Sequence, residues 1–149
     1  MLHIGSRWGG AMIRTMFSVM LGMLVAMMVM LGLEFVGTWM FPMPAGQLAS
    51  EADLAEIVAN APTGKLVWVL LGWLLAAVCG GWVAARVARV HRMGAAIAVG
   101  VLIVLGVLGN AWMLPHPLWM TLLGVIGPVP LAWCGGRLAL RRARTDASA

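Results

Sequence analysis

Charged side chains are scarce in this sequence: 149 residues carry ten Lys+Arg and five Asp+Glu, so 10% are charged while 62% are apolar. A soluble domain needs roughly a quarter of its residues charged to clothe its exterior. The shortage excludes an ordinary water-soluble fold and points to the bilayer as solvent, as does a mean hydropathy of +0.97. Cysteine is also rare. Cys79 and Cys134 both lie in apolar stretches, which excludes the disulfide framework of a small secreted protein and reads them as small buried apolar residues. Catalytic signatures are absent: there is no HExxH, Walker-type loop or CxxC pair, and none of the serines sits in a Gly-x-Ser-x-Gly context. His3, His91 and His116 are the only histidines. The reading is therefore a non-enzyme with no catalytic residue, no metal site and no cofactor.

What is present is four continuous apolar stretches, at about 16–41, 66–85, 95–113 and 118–138. At about 1.5 Å per residue each approaches or exceeds the roughly 30 Å hydrocarbon core, and the longest fits by tilting. Continuous runs favour helices over the alternating strands of a membrane barrel. The expected architecture is an all-α membrane protein, one domain over residues 1–149: a four-transmembrane-helix bundle with an outer loop at 42–65 and a basic tail at 139–149. The first stretch is too long for the apolar part of a signal peptide and reads as a retained helix.

The basic residues fall in short groups at the ends of these spans. Arg7, Arg14, Arg86, Arg89, Arg92, Arg137, Arg141, Arg142 and Arg144 share one side, and Lys65 alone lies on the other. The positive-inside bias puts both termini in the cytoplasm. The net charge of +5 then matches anionic lipid headgroups better than nucleic acid, because the basic tail has no aromatic surface beside it. Trp39, Trp68, Trp112 and Trp119 fall near the outer ends of the helices and Trp8, Trp82 and Trp133 near the inner ends, as an interfacial belt requires, with Trp73 deeper. The methionines between Met20 and Met30 read as lipid contact and bundle packing.

The connections are equally informative. Phe41-Pro42-Met43-Pro44-Ala45-Gly46 should end the first helix. Ser50 and Asp53, followed by Leu54, Ile57 and Val58, predict a short outer amphipathic helix over about Glu51 to Asn60. Pro115 and Pro117 flank His116 in a tight reversal between spans three and four. Pro128 and Pro130 interrupt the last span near Gly124 and Gly127, where a bend or a locally nonhelical segment is expected.

Two features remain as candidate function. Gly72, Ala76, Gly80 and Ala84 recur every four residues on one face of span two, a small-residue ridge that lets another transmembrane helix approach closely, from the same chain or from a second copy. Gly81, beside that face, widens it. Glu34 is a carboxylate inside the first span, seven residues before Phe41, or about 10 Å along a helix. Such a group needs a proton, water or a polar partner. Asn110 and His116, at the outer end of span three and in the loop after it, are the candidate partners. Three roles stay open: a structural hydrogen bond, a proton or cation site, or snorkelling to the interface. Trp39 and Trp73 would add a cation-attracting surface if they turned inward.

The combination of Glu34 in the first span, Phe41-Pro42-Met43-Pro44 after it and Gly80-Gly81 in the second resembles a little-characterised family of small bacterial four-span inner-membrane proteins. That resemblance implies a multi-pass protein of the bacterial inner membrane and supplies no activity. A looser similarity is to the small multidrug-resistance transporters, which have four spans and a membrane-embedded glutamate in the first helix, a position Glu34 would match. The outer placement of Glu34, the long acidic loop and the proline-rich last span depart from that pattern. The functional expectation is a structural or partner-binding role, in a homo-oligomer or with another membrane protein, with proton-coupled efflux of small cationic molecules through Glu34 as the alternative.

Overall fold

The computed structural model describes residues 4–42 and 56–145, with side chains described over 12–42 and 56–142. It is all-α. The helices are α1 (Ile4–Met40), α2 (Thr63–Val87), α3 (Arg92–Met113), α4 (Leu118–Ile126) and α5 (Pro128–Thr145). Their apolar parts make four candidate membrane spans: Met12–Met40, Thr63–Val87, Arg92–Met113 and, across α4 and α5, Leu118–Arg142. The shortest has 22 residues, about 33 Å of helix against a core of roughly 30 Å. All four can therefore cross a bilayer.

In the long connection, residues 56–59 are helical and Asn60 turns the chain. The Asn60 backbone N–H and its Nδ2 both donate to the Glu56 carbonyl, at 3.0 Å each, which closes this helical turn. Ile57 and Val58 are half-buried while Glu56 and Ala59 are exposed, as an amphipathic turn requires. The expected start of this helix, with Ser50 and Asp53, lies outside the described residues.

Helix α2 is the hub: it packs against α1, α3, α4 and α5. Its sequence explains why. Gly80 and Gly81 are consecutive, so they point about 100° apart around the helix. On the Gly80 side lies α1: a Cβ built on Gly80 would sit 2.7 Å from the Gly22 carbonyl oxygen and 3.0 Å from the Ala26 Cβ. On the Gly81 side lies α5, where the same Cβ would run into the Ala132 carbonyl. Gly135 of α5 returns the contact, its own Cβ position falling on the Val78 carbonyl. With lipid on the outside there is no hydrophobic drive between helices, so close van der Waals approach through small residues is what holds them. The ridge Gly72, Ala76, Gly80 and Ala84 is buried throughout, and its Gly80–Ala84 part is occupied by Gly22 of the same chain.

The last span is interrupted without a loop. Gly127 keeps helical angles (φ −74°, ψ −44°) and its N–H still bonds the Leu123 carbonyl at 2.9 Å. Pro128 and Pro130 have no N–H, so the carbonyls four residues before them, on Gly124 and Ile126, lose their helical donors. Neighbouring glycines make room at this point: Gly100 of α3 sits against Val129 and Ala132, and Gly124 against the Trp73 ring.

Apolar residues line the outside of the bundle, most of all on α1, where Met20, Met28, Leu31 and Phe35 are more than half exposed. In a bilayer this is the lipid face. The packing account makes a test in which the sign differs by site. Gly81→Ala must push against backbone and should destabilise by about 1–3 kcal/mol. Gly32→Ala and Gly106→Ala, with nothing within 4 Å of the added methyl, should be neutral or slightly stabilising. Reversible unfolding in mixed detergent micelles measures all three.

Candidate functional site

At the end of the bundle opposite Arg86, Arg89 and Arg92, α1 and α2 are held by a different contact. The Trp68 indole Nε1 donates to the Leu33 carbonyl at 2.8 Å. Gly37 permits this, because a Cβ there would lie 3.0 Å from the indole Cδ1 and Nε1. The glycine in α1 thus admits the ring edge to a carbonyl that belongs to its own helix ladder. A tryptophan side chain spans α1 and α2 here, in place of the direct backbone approach at Gly22, and a cleft lined by α1, α2 and α3 lies beside it.

That cleft has a volume of about 270 Å³, and its polar lining comes from Glu34 and Asn110, with Trp68 and Trp73 among the apolar walls. Glu34 lies six residues before the end of α1, about 9 Å along the helix, so it sits well toward that end of the span. It is exposed, and Asn110 is half-buried on α3. Among the described residues no side chain pairs with or donates a hydrogen bond to the Glu34 carboxylate. Trp73 is buried, with only 8% of its surface accessible, and it is braced from behind by Gly124, whose Cβ position is 2.8 Å from the ring. The two indoles are therefore fixed, one by a hydrogen bond and one by packing.

Glu34 and Asn110 thus line one cleft. His116 does not line it: its Nδ1 lies 3.0 Å from the Leu114 carbonyl, and its ring centroid is 6.0 Å from that of Trp73. Its ring contact is with Trp73, which does line the cleft. Trp39, which would have added to the cation-attracting surface, is 79% exposed and stacks edge-on against Phe35 on the outside of α1. Trp68 takes that place. The signal that could have found it is Gly37, a small residue one turn from Glu34 with no other evident packing role. Among the described residues no three His, Cys, Asp or Glu side chains come together as metal ligands.

Fold and site together define a small multi-span helical membrane protein. No protein-family model, no curated protein and no solved structure matches the chain.

Disturbing this contact should cost stability. Trp68→Phe keeps an aromatic side chain but loses the N–H and part of the indole's volume, and should destabilise by about 1–3 kcal/mol. Gly37→Val should cost more, because it also evicts the ring. Unfolding in mixed micelles provides the measurement.

Proposed function

We propose that this chain is a noncatalytic integral membrane protein whose Glu34 cleft binds a small lipophilic cation through the carboxylate. The observation that carries this reading is the pairing of Glu34, without a partner among the described residues, with two immobilised indoles in one cleft. A carboxylate supplies the counter-charge, and the faces of Trp68 and Trp73 add cation–π attraction in a partly desolvated site. Asn110 offers both a donor and an acceptor for orientation. A purely structural role for Glu34 has less support, since Trp68 and the glycine contacts hold α1 to α2 without it.

The orientation that goes with this reading puts both termini and the arginine end in the cytoplasm, and the cleft toward the outer leaflet of a bacterial inner membrane. The positive-inside bias and the resemblance to small bacterial four-span proteins support it. Proton-coupled efflux is the extension of this binding reaction. It would require α1 to part from α2 below the cleft, where Gly22 and Gly80 are in backbone contact. The structural or partner-binding alternative draws on the same fold, but the Gly80–Ala84 part of its ridge is covered within the chain.

The test is binding of tetraphenylphosphonium to the purified protein in detergent at fixed pH. Wild type should bind the probe, and Glu34→Gln should lose at least about tenfold in affinity, because the counter-charge is gone. A folded wild type that does not bind the cation, or a folded Glu34→Gln variant that binds it as tightly, contradicts the proposal and turns the search to membrane partners.

A further inference from the structure

At the opposite end of the bundle three segments converge. Ala85 of α2, Ala96 of α3 and Ala139 of α5 form one buried cluster, with Trp82 packed against it. Gly136 of α5 sits on Ala96 and Met93. This packing of small side chains draws the turn between α2 and α3, with Arg89 and Arg92, toward the part of α5 that carries Arg137.

Two of these guanidinium groups are already restrained. The Arg92 Nε donates to the Ala88 carbonyl at 2.9 Å, which leaves its terminal N–H groups for another acceptor. The Arg137 Cζ lies 4.3 Å above the centre of the Trp133 ring, which covers one face of the guanidinium and leaves its N–H edge uncommitted to the ring. Arg89 is exposed. No described acidic residue lies at this end: Glu34 is on the far part of α1 and Glu56 precedes α2. The cationic patch is bordered by apolar surface, with Val87, Val90 and Leu138 all exposed. Arg89 lies between the second span, which ends at Val87, and the third, which begins at Arg92, while Arg137 lies five residues before the end of the fourth at Arg142, from where a long side chain can snorkel to the headgroups.

We propose that Arg89, Arg92 and Arg137 hold the phosphodiester of one anionic phospholipid at this end of the bundle, with its acyl chains against the apolar border. The neighbouring apolar surface selects an amphiphile over a soluble anion. Restrained guanidinium edges offer the paired N–H donors that a phosphate oxygen pair accepts. The inference does not depend on the Glu34 cleft, which lies at the other end of the molecule.

The experiment reconstitutes the full chain in phosphatidylcholine vesicles and substitutes a minor fraction with phosphatidylglycerol brominated on its acyl chains or, in parallel, with phosphatidylcholine brominated in the same way. Of the eight tryptophans, Trp82 and Trp133 lie at this end, and the share of the quenching that Trp82→Phe/Trp133→Phe removes reports contact there. Wild type should prefer the anionic lipid by about fivefold or more, a preference that high salt erodes. The Arg92→Gln/Arg137→Gln double variant should quench equally with both lipids. The corresponding double lysine variant, which retains charge and guards against a folding artefact, should keep part of the preference. Equal quenching in wild type, or full preference in the glutamine double variant, overturns the proposal. Loss of the wild-type preference on exchanging chloride for inorganic phosphate at constant ionic strength overturns the lipid assignment in favour of a free-anion site.

Discussion

Backbone contact between α2 and its neighbours at Gly80 and Gly81 is the constraint on which the rest of this structure depends. In lipid a leucine gains nothing by leaving acyl chains for another helix, so association rests on how closely two backbones can come. Two consecutive glycines give α2 two such faces, one taken by Gly22 and Ala26 of α1 and the other by Ala132 of α5. Four helices can then share one narrow centre lined mostly by alanine, glycine and valine. Most large apolar side chains are left for the outside, where they meet lipid, with Trp73 and Met120 among the exceptions.

The same constraint explains why there is a cleft. Close approach at Gly22–Gly80 is not continued along α1, because the spacer further up is the Trp68 indole and Leu33 in place of two glycines. Glycines bring α1 and α2 into backbone contact at one end, and side chains space them at the other. Glu34 sits at the side-chain-spaced end. Its exposure is a consequence of packing elsewhere, and the Trp68 N–H bond to the Leu33 carbonyl keeps the indole in register with it.

Much of this was legible in the sequence, and the boundary between what was and what was not is physical. Span number follows from hydropathy because a bilayer forces backbone groups to bond within their own segment. The small-residue ridge and Gly81 could be read as a close-packing surface. Its occupant could not, because a ridge has the same spacing whether its partner is Gly22 or a second chain. Glu34 stood out as a charge in an apolar run, and Asn110 could be placed near it by depth alone. The exchange of Trp39 for Trp68 was beyond reach: both rings lie near the same end, and only the rotation of α1, set by Gly22 against Gly80, turns Trp39 outward. The position of His116 beside Trp73 likewise depends on the path of a two-proline loop.

The central claim, that the Glu34 carboxylate is an accessible binding group, is tested most directly by its chemical reactivity in the unmodified protein. A carbodiimide couples an accessible carboxyl to an added amine, and peptide mass spectrometry locates the adduct. The account predicts modification of Glu34 in reconstituted wild type and its protection by tetraphenylphosphonium at the same pH. Modification of Glu34 to the same extent with and without the cation would contradict it.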